Sequence, residues 1–244
     1  MVSKLLHYYH VYCDGRRNWL HCVEEHCVAL RTSGLENALE GPVIVGVVGD
    51  RDQRSAVRSK FRECGVNAWI SSSVYTTWEQ RTLQALWLRA QQNADGLVLY
   101  AHTKGAANPS VRQDKWREDM TRLLVKNWET CVNLLEHEPI DVVGAYRIVN
   151  DGVAKGAFGD GADAVAAMLN RETGSDIEVG PVFPEQGKAI LAGNYWWTKM
   201  AWVARLNRPG NASRYDAETW VGNANEDGEE PNLYNLEEWI RRGG

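Results

Sequence analysis

The sequence predicts an α/β fold, a mostly parallel central sheet flanked by helices, and three observations carry that expectation. Apolar runs of strand length alternate with stretches of helical periodicity four times between residues 4 and 103. The second run, "PVIVGVVGD", is apolar throughout, as in a strand buried on both faces. Turn signals such as Asp14-Gly15 and Gly65 separate the segments. Repeated βα units of this kind wind into a doubly wound sheet whose ligands bind outside the carboxyl ends of the strands.

The elements follow in order. "KLLHYYHVY" is the first strand and stops at Asp14-Gly15. In "RRNWLHCVEEHCVALRTSG", Trp19, Val23, Cys27 and Leu30 share one helical stripe closed by Gly34. After the second strand, "RDQRSAVRSKFREC" sets Arg51, Arg54, Arg58 and Arg62 opposite Val57, Phe61 and Cys64. "VNAWISSSVY" is the third strand, and the following helix carries Leu83, Leu86, Trp87 and Ala90 on one side. "GLVLYAHT" is the fourth strand.

The second half is less repetitive. A long helix is expected from about Gln113 to Glu136 on the spacing of Trp116, Met120, Leu124, Trp128, Cys131 and Leu135. "IDVVGAYRIV" reads as a strand, and "GDGADAVAAMLNRETG" as a turn and a short helix. "KAILAGNYWWTKMAWVARL" reads as a strand, a Gly-Asn turn and an aromatic helix, with closing helices in "ASRYDAETWVGN" and "NLYNLEEWIRR". With 244 residues and no internal repeat, the chain is taken as one domain, 1–244.

Composition narrows the function classes. A charged fraction of 24% and a hydrophobic fraction of 44% exclude disorder as the default. No apolar run nears the roughly 20 residues needed to span a bilayer, and the N-terminus has too polar a core for a secretory signal, so a cytoplasmic location is expected. Five cysteines without regular spacing suit a reducing compartment. A net charge of −5 gives no overall attraction to nucleic acid, although the Arg51 to Arg62 face is a local basic surface, either a solvated helix face or a phosphate contact.

The most informative stretch is "DGLVLYAHTKGA", where the fourth strand runs into His102, Thr103, Lys104 and Gly105. Side chains two apart on a strand share a face, so His102 and Lys104 form a pair at the mouth of the sheet. With Gly105 letting a ligand approach the backbone, that pair suits phosphate oxygens; a surface loop with incidental charge is the alternative. Asp14 at the end of the first strand, and Asp50 with Arg51 at the end of the second, are the natural places to read the base and ribose of a nucleotide.

"HTKGA", "WREDM" (Trp116 to Met120), "VVGAYR" (Val142 to Arg147), "GNYWWTKMAWVARL" (Gly193 to Leu206) and "RYDAETWVG" (Arg214 to Gly222) occur in one order along residues 97–221. That set resembles a family of small bacterial and phage glycosyltransferases. The resemblance implies a glycosyltransferase type A fold, a Rossmann-like sheet binding a nucleotide sugar. Residues 1–106 would be the nucleotide-sugar half, and residues 107–244 the acceptor half with the C-terminal helices. Many enzymes of that fold hold a divalent metal with an Asp-x-Asp at the fourth strand's end. Here that strand ends "AHTKG", and we expect metal-independent transfer with no cofactor beyond the donor, His102 and Lys104 stabilising the departing diphosphate.

The resemblance also distributes the remaining roles. Glu218 is the expected catalytic carboxylate and Asp216 the second choice; Gly193 and Asn194 with Trp196 and Trp197 suit a sugar, at least one of the two tryptophans being core. Arg117 either adds charge to the phosphate pocket or forms a salt bridge with Asp114 or Glu118. Asp160 and Asp163 are the fallback metal ligands, helix capping being the competing explanation. His21, Cys22, His26 and Cys27 in "HCVEEHC" lie on or beside the buried stripe of their helix and read as packing. The acceptor is expected to be a glycan or protein. The alternatives are DNA carrying a hydroxymethylated base, docked on the arginine face, and an inactive nucleotide- or glycan-binding module.

Overall fold

The computed structural model describes residues 3–13, 19–74, 79–103, 111–145, 147–149, 189–191, 194–210, 217 and 219–241. Strand β1 (Leu5–Tyr12) is followed by α1 (Trp19–Thr32), a single-turn α2 (Leu35–Ala38), β2 (Val43–Val48), α3 (Arg51–Glu63), β3 (Ala68–Val74), α4 (Gln80–Gln92) and β4 (Leu97–His102). These strands lie in the order β3-β2-β1-β4 and are parallel. This is the doubly wound half expected from the βα alternation.

Three more strands extend the sheet beyond β4, in the order β8 (Trp196–Lys199), β5 (Val142–Gly144), β9 (Leu233–Asn235). β8 runs antiparallel to both β4 and β5, while β5 and β9 are parallel. A separate antiparallel pair joins β6 (Arg147–Val149) to β7 (Ala189–Leu191). The fold is therefore α/β with a seven-stranded, mostly parallel sheet flanked by helices, compatible with a Rossmann-like arrangement.

Three expectations change. "WWTK" is strand rather than helix, and the helix α7 (Met200–Arg205) begins only after it. Trp196 and Trp197 point to opposite faces of a sheet covered on both sides, one toward Tyr100 and the other toward the carbonyl of Leu124, so both are buried without helical periodicity. The long helix from Gln113 is broken: α5 (Val111–Met120) passes through a π-helical segment (Thr121–Lys126) into α6 (Trp128–His137). The wider turn buries three consecutive residues, Leu123, Leu124 and Val125, and the Leu124 carbonyl accepts the Trp197 indole N–H at 2.7 Å. The closing helix α8 (Leu236–Arg241) also starts late, because Asn235 ends β9 and its side chain accepts from the backbone of Glu237.

Two apolar layers sandwich the sheet. Leu5, Tyr9 and Val11 of β1 face α1, α3 and the π segment, whereas Tyr8 packs with Leu83 and Leu86 of α4 and with Trp196 and Met200. The first layer also holds a pair of histidines. His7 and His26 meet through their Nε2 atoms at 2.7 Å, and Tyr9 stacks on His26 at 4.1 Å. His7 Nδ1 must donate, because its partner 3.0 Å away is the Leu99 carbonyl. In the neutral pair His26 Nε2–H then donates to His7, which leaves His26 Nδ1 bare and buried without a partner.

Burial pushes the His7 pKa down to about 4 and that of His26 well below its ordinary value, the His7 charge adding to the latter. Both groups are neutral in the fold but protonate near 6.5 once unfolded. The unfolded chain therefore binds more protons below that value, and stability falls as pH drops from 6.5 toward 4. We expect a melting temperature that is level above pH 7 and falls by roughly 10 °C by pH 5. A scanning calorimetry series that shows no such fall would contradict the neutral pair.

Candidate functional site

Strand order reverses between β1 and β4: the chain first moves outward through β2 and β3, then returns to the other side of β1. Open α/β sheets leave a crevice at such a reversal, outside the carboxyl ends of the two strands. The ends that meet there are in register, with His10 of β1 beside His102 of β4. Thr103 holds them together: its N–H donates to the His10 carbonyl and its hydroxyl accepts the N–H of Tyr12, each at 2.9 Å.

The two histidines face α4 but differ in setting. His10 is 2% exposed, with Nδ1 2.8 Å from the Thr82 hydroxyl. Burial pushes its pKa down to about 4, Glu79 opposing the shift and His102 adding to it. The His102 side chain keeps 12% of its surface, and its Nδ1 lies 3.3 Å from Oε1 of Glu79.

Glu79 stands at the N-cap of α4 without capping it, because its carboxylate turns toward the strand ends. The Tyr100 hydroxyl donates to Oε2 at 2.8 Å and the Asn194 amide donates to the same oxygen. The Asn194 side-chain oxygen accepts the Trp196 indole N–H at 2.7 Å, and Trp196 stacks on Tyr100 with ring centres 4.9 Å apart. Tyr100, Glu79, Asn194 and Trp196 thus close a circuit around one carboxylate. Asn194 adopts φ 50°, a left-handed conformation that asparagine tolerates better than most residues, and this aims its side chain at Glu79. On the other side of β4 the Tyr195 hydroxyl donates to the His102 carbonyl at 2.5 Å, with the rings 5.5 Å apart.

The structure brings His102, Thr103 and Asn194 to this crevice, together with Glu79, His10 and Tyr100, which the sequence reading did not select. Glu79 resembles an ordinary acidic residue at the head of a helix. The available signal for His10 is that, with His7, it is one of two histidines in a strand otherwise filled by Leu, Tyr and Val.

Other candidates have structural partners. Asp50 caps α3 by accepting from the Gln53 N–H at 2.7 Å, and Gln53 returns a contact to the Asp50 N–H. Gln53 also reaches the Cys13 carbonyl across Gly49, where an added Cβ would sit 2.6 Å from the Gln53 oxygen. Arg51 begins the same helix, exposed. Arg117 is held by Glu25 at 2.7 Å and Asp114 at 2.9 Å, so the salt-bridge alternative describes its setting, with Glu25 from α1 in place of Glu118. Trp196 and Trp197 are both 0% exposed, and each ring sits in packing rather than at the surface. Cys22, His26 and Cys27 are buried, while His21 is exposed and pairs with Glu25. Asp14, Lys104, Gly105, Asp160, Asp163, Gly193, Asp216 and Glu218 lie outside the described residues.

Among the described residues, no group of three or more His, Cys, Asp or Glu side chains is placed to hold a metal ion, and no helix is long and apolar enough to cross a membrane.

The chain belongs to the family DUF8361, described as a domain of unknown function, whose model matches residues 8–145. The match spans β1 to β5 and so includes His10, Glu79, His102 and Thr103, but not Asn194. No curated protein matches the sequence.

The circuit makes a stability prediction. Asn194→Gly keeps the left-handed backbone but removes one donor to Glu79 and the acceptor for Trp196, and should cost about 2 kcal/mol. Asn194→Ala adds a side chain in that conformation and should cost about 1 kcal/mol more. Urea unfolding of both variants checks the order; an alanine variant as stable as wild type would show that the circuit contributes nothing.

Proposed function

We propose that this chain is a glycosyltransferase that moves a sugar from a nucleotide-diphosphate sugar to an acceptor hydroxyl, with the donor diphosphate at the β1/β4 crevice. The observation that carries this reading is the position of His102 and Thr103: His102 ends β4 and Thr103 follows it where strand order reverses, the place at which open α/β sheets bind ligands. The ordered motif set of residues 97–221 supports the same reading, and with the doubly wound first half it favours a glycosyltransferase type A fold.

The chemistry follows from where charge develops. As the bond between the anomeric carbon and the diphosphate oxygen breaks, the sugar gains oxocarbenium character and negative charge collects on the leaving group. In this reading His102 and Lys104 supply N–H donors for it, Thr103 holds the strand ends in place, and Gly105 gives a ligand access to the backbone. This is a metal-independent arrangement; Asp160 and Asp163 are the ligands to examine if a divalent cation is required. The acceptor oxygen forms the new bond at the anomeric carbon. In an inverting reaction Glu218 takes its proton, with Asp216 as the second choice. Gly193 and Asn194 are the residues read for the sugar, the Asn194 amide being bonded to Glu79.

A glycan or protein is the default acceptor. The exposed Arg51, Arg58 and Arg62 along α3 favour a second reading, in which a DNA duplex bearing a hydroxymethylated base docks there. An inactive binding module on the same fold would bind donor without turnover.

Thermal scanning against a panel of nucleotide sugars, with EDTA and with Mn²⁺, tests the proposal on wild type and Lys104→Ala. One donor should raise the melting temperature of wild type in EDTA, since a ligand stabilises by RT ln(1 + [L]/Kd), and the shift should be lost in the variant. Stabilisation only with Mn²⁺ would remove the metal-free mechanism. Failure of every donor to bind, with a folded protein, would remove the transferase.

A further inference from the structure

The cysteines are the nucleophiles that the proposed transfer leaves without a part. Cys13, Cys22, Cys27 and Cys131 are buried, while Cys64 is half-buried. Cys27 lies on α1 with no exposed surface. Cys64 follows the last turn of α3 and packs against the apolar layer to which Cys27 belongs.

Contacts on both sides of Cys27 bring these two residues together. One turn before it, Glu24 of α1 meets Lys60 of α3 at 3.9 Å. One turn after it, Arg31 Nη1 donates to the carbonyl of Cys64 itself at 3.0 Å. Residues 24, 27 and 31 are spaced by three and four, so they share one face of α1, and residue 64 stands one turn beyond Lys60 at the end of α3. Cys27 is therefore the α1 residue between two rungs that both lead to the Lys60–Cys64 end of α3. The closeness is felt in the thiol chemistry as well: burial pushes the Cys27 thiol up, and the neighbouring Cys64 adds to the shift.

The two positions differ as an attacking and a resolving thiol differ. Cys64 is reachable from solvent and has the cations of Lys60 and Arg31 nearby, a setting that favours attack. Cys27 is shut away from solvent, so a reagent meets Cys64 first.

We propose that Cys27 and Cys64 are a reversible redox pair, which a small-molecule disulfide of the class of oxidised glutathione converts into a disulfide tying α1 to α3. The step balances as two exchanges. The Cys64 thiolate attacks one sulfur of the reagent, forming a mixed disulfide and releasing one small thiolate. Cys27, losing its proton as it attacks, then bonds to the Cys64 sulfur and displaces the second small thiolate. The two protons end on the released thiols; the protein is oxidised by two electrons and the reagent is reduced by two. The bond closes a loop that holds α2, β2 and α3, and it stabilises the fold by restricting the unfolded chain. None of this depends on what the crevice binds.

The test incubates the folded full chain with oxidised glutathione, blocks the remaining thiols with N-ethylmaleimide, and examines the unreduced tryptic peptides by mass spectrometry. Wild type should give a cross-link between the peptides carrying Cys27 and Cys64, reversed by dithiothreitol, and should melt about 10 °C higher once cross-linked. Cys22 shares a tryptic peptide with Cys27, since neither Lys nor Arg lies between them. Cys22→Ser should therefore keep the cross-link, whereas Cys27→Ser should lose it and retain glutathione on Cys64. Cys64→Ser should form no cross-link at this peptide and gain nothing in melting temperature. A wild type without the cross-link, or one that keeps glutathione on Cys64 unresolved, overturns the proposal even if a variant fails to fold. A cross-link that survives in Cys27→Ser, or a bond that leaves the melting temperature unchanged or lower, overturns it as well.

Discussion

Parallel pairing of β1 with β4 is the contact on which the rest of the architecture hangs. It joins the β1–β3 half of the sheet to the strands that follow and creates the reversal of strand order. Because both faces are covered, β1 has no solvent side, and its polar residues must be satisfied internally. The strand answers differently on its two faces. His7 finds a backbone carbonyl and a second histidine beneath α1, and His10 finds a threonine beneath α4. Ordinary apolar residues at either place would give a simpler core.

The crevice shows a second consequence of the same constraint. A carboxylate brought into the low-dielectric edge of a sheet is held by charge-assisted bonds stronger than those between neutral groups. Tyr100 and Asn194 come from elements far apart in the chain, β4 and the turn before β8, and converge on Glu79 from the head of α4. The antiparallel insertion of β8 beside β4 is what brings Asn194 within reach. The site and the departure from a purely parallel sheet are one structural event.

The first half of the fold was legible because its signals were local: apolar runs, helical stripes and turn residues in alternation. Of the candidate site, the place of His102 and Thr103 at the end of β4 was legible, because an apolar run that stops at His-Thr marks a strand end. What the residues could not reveal depended on distant partners. Trp196 and Trp197 suggested a helix because neighbouring aromatic residues lie on opposite faces only if a sheet is covered on both sides. Arg117 looked available to a phosphate until Glu25, from α1, appeared beside it. Glu79 looked like an ordinary first-turn acid, since the circuit that distinguishes it is assembled by long-range pairing. Asp50 was recognisable as polar at a strand end, but its cap required knowing where α3 starts.

The π-helical segment between α5 and α6 works as a change of phase. Successive residues of an α-helix turn by about 100°, so one residue accommodated within a wider turn rotates everything beyond it relative to everything before. α5 can therefore present Arg117 to Glu25 of α1 while α6 sets Trp128 against the Ser33 carbonyl and packs on β5 and β8. The three successive segments serve two surfaces whose angular demands differ. Sequence length within 121–126 is consequently a structural parameter in its own right: losing one residue would preserve composition and hydrophobicity yet turn α5 or α6 away from its partner.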